Sequence, residues 1–95
     1  MTPYSVFRHD ECYLYGKNYN GNNLNQVNGI CSDKTDSPQQ CQNLCQRKLK
    51  CKQFSWYVPD FEKRKKECCL KGKEQELGNA VIKPGVVSGP KFCGK

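Results

Sequence analysis

The chain has 95 residues, 36% of them hydrophobic, with eight cysteines and a net charge of +7. That length allows one domain with a modest core, and no stretch approaches the ~20 apolar residues that a membrane-spanning helix needs. The even, dense set Cys12, Cys31, Cys41, Cys45, Cys51, Cys68, Cys69 and Cys93 points to disulfides, which persist in an oxidising compartment and not in the cytosol.

Residues 1–11 read as an N-terminal extension. They are polar, carry Arg8 and His9, and do not resemble a secretory leader. The secreted reading therefore takes the chain as a piece of a longer protein. Cys12-Tyr-Leu-Tyr-Gly is rich in strand formers and stops on Gly16. Lys17 to Asn28 is an Asn- and Gly-rich run, expected to form turns and irregular backbone.

Ser37, Pro38 and Gln40 make a capping box with proline at the first helical position. They predict a helix to about Leu49, with Cys41, Leu44 and Cys45 on its buried face. Gln42, Asn43, Gln46 and Arg47 are expected to look outward. In the next segment, Phe54, Trp56 and Val58 alternate with Gln53, Ser55 and Tyr57, the pattern of a half-buried strand. Pro59-Asp60 ends it, Phe61 to Glu67 is a charged connection, and Glu67-Cys-Cys-Leu-Lys returns. Glu74 to Pro84 reads as a loop, and Val86 to Cys93 as a last strand ending in the tail residues 94–95. The fold class expected is α+β, a single helix packed on a small antiparallel sheet.

The charge is localised. Gln46 to Lys73 holds ten basic and three acidic residues, an excess equal to that of the whole chain. Such a field attracts polyanions. The expected ligand-binding residues are Arg47, Lys48, Lys50, Lys52, Lys63, Arg64, Lys65, Lys66 and Lys71, with the Lys63 to Lys66 tip and Lys71 joining the helix end across the hairpin. The plainer alternative makes Lys63 to Lys66 a solvated loop tip.

Taken in order, these segments resemble the PAN/apple modules. Ser37-Pro-Gln-Gln-Cys-Gln-Asn-Leu-Cys followed by Cys51-Lys-Gln-Phe-Ser-Trp is similar to that family's helix and first hairpin strand. Cys68-Cys-Leu-Lys is similar to its second strand, and Val86-Val-Ser-Gly-Pro-Lys-Phe-Cys to its closing strand. The Ser-Gly-Pro-Lys ending most resembles the apple modules of apicomplexan microneme adhesins. The resemblance spans residues 12–93. It implies a Cys12–Cys93 bridge and two ties from helix to hairpin, Cys41–Cys68 and Cys45–Cys51. Cys31 and Cys69 depart from the family's basic pattern. Adjacent strand residues face opposite sides, so if Cys68 faces the helix, Cys69 is left to Cys31. The neighbouring arrangement, Cys41–Cys69 with Cys31–Cys68, stays open at this stage.

The resemblance also implies a secreted, non-catalytic adhesion or recognition module that binds host-cell surface glycans or proteins. Within the family, the hepatocyte growth factor member binds heparin and some coccidian adhesin apples bind galactose-containing glycans. The residues agree with a non-catalytic reading. His9 is the only histidine, beside Asp10-Glu11, and every cysteine is claimed by the framework. No cofactor or metal is expected. Cys41 and Cys45 could begin a zinc knuckle, but the other cysteines lack its paired spacing. Nucleic acid is not expected as a partner, given the redox compartment. Tyr13, Tyr15 and Tyr19 are expected on the sheet surface, with sugar stacking the rarer use. The alternative functions are a spacer or protein-docking unit among other modules of the same polypeptide and, with the Glu74–Pro84 loop, a protease inhibitor.

Overall fold

Ser37 begins the helix of the computed structural model, which describes residues 12–19, 21, 23–74 and 80–93. Helix α1 spans Pro38–Arg47. The Ser37 hydroxyl oxygen accepts the Gln40 N–H at 3.1 Å, satisfying a donor that the first turn leaves open. Gln40 reaches back one residue beyond the usual box, its Oε1 accepting the Asp36 N–H at 2.7 Å. The helix stops at Arg47, short of Leu49. Lys48 takes up extended backbone (φ −106°, ψ 117°), and the Cys45–Cys51 bridge draws the chain back within six residues.

The strands are β1 (Leu14–Asn18), β2 (Gln26–Val27), β3 (Ile30–Cys31), β4 (Asp33–Lys34), β5 (Gln53–Tyr57), β6 (Glu67–Lys71) and β7 (Val81–Pro90). Five of them form one antiparallel sheet in the order β1-β7-β5-β6-β4, while β2 and β3 pair as a separate small hairpin. Val81–Pro84, expected in a loop, is the start of β7 and pairs with Lys17 and Asn18 of β1. Between Tyr15 and Lys17 the β1–β7 register shifts. Gly16 sits at that bulge with φ +77°, a conformation costly for a residue with a Cβ.

Helix α1 packs on one face of the sheet. There Phe54, Trp56, Leu70 and Val87 meet Tyr13 and the Cys41, Cys45, Cys51 and Cys68 sulfurs, with Leu44 and Val58 at the margin. Trp56 Nε1 donates to the Thr35 carbonyl at 3.0 Å, so the indole is buried without losing its hydrogen bond. The other face carries a second, smaller cluster of Tyr57, Cys69, Val86 and Cys31, with Phe61 packed against it.

This second cluster corrects the half-buried reading of β5. Every residue of β5 and of β6 is buried, including Gln53, Ser55 and Tyr57. β5 is central in the sheet, its edges paired with β7 and β6, and the helix-side core covers one of its faces while the second cluster covers the other. Ser55 survives there by sharing a 2.7 Å hydroxyl–hydroxyl hydrogen bond with Ser88.

Gln42 is corrected as well. It is wholly buried and fastens the helix to both ends of the domain. The Tyr13 hydroxyl donates to its Oε1 at 2.9 Å, and its Nε2 donates to the Pro90 carbonyl at 3.1 Å. Gln46 is half-buried and donates to the Lys91 carbonyl at 2.9 Å. Tyr13 and Tyr19 lie in the interior, and of the three tyrosines only Tyr15 is exposed.

Candidate ligand-binding face

The eight cysteines are all bonded, as Cys12–Cys93, Cys31–Cys69, Cys41–Cys68 and Cys45–Cys51. The pairing decides where the basic residues can stand. Cys41–Cys68 and Cys45–Cys51 fix the helix over the β5–β6 hairpin. The chain segment Lys48–Lys52 then lies at the start of β5, and the connection 58–66 lies at its far end. The register confirms the separation: Gln53 pairs with Lys71 and Trp56 with Cys68, and the Lys66 N–H donates to the Tyr57 carbonyl at 2.8 Å. A five-residue strand puts about 14 Å of backbone between the two ends. The nine bases therefore do not make one surface across the hairpin.

At the helix end, Arg47, Lys48, Lys50 and Lys52 are exposed, and among the described residues none forms an ion pair. Lys91 joins them. Its Nζ donates to the Lys48 carbonyl at 3.0 Å, and its N–H donates to the Lys52 carbonyl at 3.1 Å. At the hairpin tip, Lys63 and Lys65 are exposed. Lys66 pairs with Asp36 at 3.0 Å.

Two of the nine bases turn inward. Arg64 donates through Nε and Nη2 to Glu67 Oε1 at 3.0 and 2.9 Å, and its guanidinium lies 4.4 Å from the Tyr57 ring centre. Glu67 Oε1 also accepts the Cys31 N–H at 3.1 Å. Arg64 is thus the counter-ion of a buried carboxylate. Lys71 is 2% exposed, and its Nζ donates to Asn23 Oδ1 at 2.6 Å. Burial, helped by the positive charges of Arg64 and Lys83, lowers its pKa to about 8. The alternation of β6 carries the reason. Cys68 and Leu70 face the helix, so Cys69 and Lys71 face the opposite cluster. Sequence reasoning counted Lys71 as a surface cation because a lysine next to Gly72 at a strand end carries no local sign of burial.

Two clefts flank the sheet edge at β4. One, of about 470 Å³, is lined by Asp33, Lys34, Thr35, Asp36, Gln40, Asn43, Leu44 and Arg47. The other, of about 670 Å³, lies between the helix-end loop and the Asn-rich segment, and includes Leu24, Leu49 and Leu70 with Lys48 and Lys50. Sequence reading missed both. Their walls come from segments far apart in the chain, and only the exposed Leu49 beside the lysines gave a local hint.

Cys31, Glu67 and Cys69 come close enough to resemble a metal-ligand group. The two sulfurs are bonded to each other, and Arg64 holds the carboxylate, so these atoms as arranged are not ligands. His9, Asp10 and Glu11 lie outside the described residues, as does 75–79 of the loop considered for protease inhibition.

A helix on an antiparallel sheet, stapled by four disulfides, defines a small disulfide-rich α+β module. The chain belongs to the PAN domain family, whose model matches residues 17–71, from β1 through α1 to the end of β6. No curated protein matches it. PAN domains are protein- and carbohydrate-interaction modules, in general without catalytic activity. The disulfide-rich module is consistent with an extracellular protein. Among the described residues, no helix is long and apolar enough to cross a membrane.

Proposed function

We propose that residues 12–93 form an extracellular recognition module whose ligand is anionic, in its concrete form a sulfated glycan of a host-cell surface. The observation that carries this reading is the helix-end group. Arg47, Lys48, Lys50 and Lys52 are exposed, unpaired with acids among the described residues, and extended by Lys91. Arg47 suits bidentate contact with a sulfate, and the lysines act as point charges. Lys63 and Lys65 form a second, separate positive tip. The likeness of the Ser88-Gly-Pro-Lys ending to the apple modules of apicomplexan microneme adhesins supports this reading.

The test is retention on immobilised heparin. Changing Arg47, Lys48, Lys50 and Lys52 together to Ser is expected to abolish most of the salt-dependent retention, and Lys63→Ser with Lys65→Ser to remove a smaller part. Unchanged retention of the helix-end variant sinks the reading. A second reading, a docking spacer in a tandem array, is favoured by the Cys12–Cys93 bridge, which holds the two ends of the module 5.7 Å apart at Cα. A glycan array with no binding at low or physiological salt would select it.

A further inference from the structure

We infer that the cleft between the helix-end loop and the Asn-rich segment is a docking site for a peptide segment of a protein partner, one with an apolar anchor residue and an acidic residue on one side of it. The cleft is about 670 Å³, large enough for a side chain and its flanking backbone. Its floor is Leu70, buried in the sheet, and its walls are Leu24 and Leu49. Leu49 is 88% exposed, more than any other large hydrophobic residue described. A leucine that open beside a second half-open leucine is unfavourable in water and gains by being covered.

The rim charges set the direction. Lys48 and Lys50 lie on the helix-loop side and Asp33 on the opposite side. Asp33 is held in place, its Oδ2 accepting from Asn25 Nδ2 at 2.8 Å. An acidic group on the ligand is attracted at the lysine side and repelled at the Asp33 side. The ligand's acid therefore lies on one side of the anchor only. This order, an aliphatic pocket with one positive and one negative rim, matches a peptide better than a sulfated sugar, which brings charge on all sides and no aliphatic group for Leu24 and Leu49 to cover.

The wall is built rather than incidental. Leu24 N–H donates to the Leu70 carbonyl at 2.7 Å, and Ser32 N–H to the Asn25 carbonyl at 2.8 Å. Asn25 donates to the Cys68 carbonyl at 2.9 Å. These bonds, with the neighbouring Cys31–Cys69 bridge, hold the Asn-rich side against β6, so that this side of the cleft is preformed.

The experiment is selection from a random-peptide display library on the whole chain. The expected enriched sequences share an aliphatic or aromatic residue with Asp or Glu on one side. Affinity of a selected peptide should fall by about tenfold or more in Leu24→Ser/Leu49→Ser, and should weaken with salt less in Lys48→Ser/Lys50→Ser than in the unaltered chain. No enrichment, enrichment of neutral or basic peptides, or binding unaffected by the leucine changes overturns the inference. Heparin retention separates it from the glycan reading. The leucine variant should keep that retention, and Arg47→Ser/Lys52→Ser, outside the cleft, should lose part of it while keeping the peptide.

Discussion

Asn25 pairs with Leu70 as a strand residue would, but through its side chain. Its Oδ1 accepts the Leu70 N–H at 3.1 Å, and its Nδ2 donates to the Cys68 carbonyl at 2.9 Å. β4 covers β6 at Glu67 and Cys68, and an isolated bridge joins Asn23 to Lys71. The carboxamide fills the interval between them. β6 is thereby protected along an edge that would otherwise invite pairing with another chain.

Asn25→Ala should cost about 2–3 kcal/mol in denaturant unfolding, because the Leu70 N–H and the Cys68 carbonyl lose their partner in a buried strand. Asn25→Asp should be no better than Ala. A carboxylate can still accept from Leu70, but it would face the Cys68 carbonyl and Asp33 without a donor. If Asp proves as stable as Asn, this account of the edge is wrong.

Arg64→Ala should cost about 3 kcal/mol, since Glu67 is left as a buried carboxylate without its cation. Arg64→Lys should recover only part, because one ammonium cannot match the fork that holds Oε1 and lies over Tyr57. Lys63→Ser and Lys65→Ser, three or fewer residues away, should each change stability by less than about 0.5 kcal/mol. Equal effects at all these positions would return Arg64 to the surface group that its place in a basic run suggests.

Lys71 should make stability rise with pH in a mildly alkaline window. Its pKa falls from the ordinary 10.5 to about 8 in the folded chain. Between these values the unfolded chain binds more protons, so raising the pH favours the native state. The gain from roughly pH 8 to 9.5 is about 1.5 kcal/mol. Above that range Tyr19 and Tyr57, whose phenols burial pushes up, act in the opposite sense. Lys71→Met should flatten the window. Unfolding midpoints measured across it in the two proteins decide the matter.

Gly89→Ala should destabilise by about 1–3 kcal/mol. A Cβ there would stand 2.9 Å from both the Phe54 and the Tyr13 rings, which meet edge to face at 5.5 Å and are both buried. Neither ring can withdraw without disturbing the helix-side core. A thermal midpoint equal to that of the unaltered chain would show that the rings do yield.

Much of the fold was legible because its signals are local. Ser37, Pro38 and Gln40 set the helix start within one turn, and the strand formers around Phe54 and Leu70 set β5 and β6. The candidate binding face was legible only in part. Arg47, Lys48, Lys50 and Lys52 are close in the chain and stay close in space. Arg64 and Lys71 read as members of the same group, yet one neutralises Glu67 and the other is enclosed.

By itself, then, the sequence determined a disulfide-dense module with one capped helix, antiparallel strands and a concentrated positive charge, since each of these depends on composition or on residues within a few positions. The tertiary structure decided which faces of those elements meet water. It packed the second cluster on the face of β5 opposite the helix, so that the strand's alternation no longer marks an outside, and it drew Gln42 under Tyr13. It set the hairpin tip a strand's length from the helix end. The same packing made a cleft from Leu24, Leu49 and Leu70. Burial and separation are properties of pairs brought together across the sheet, and no local pattern carries them.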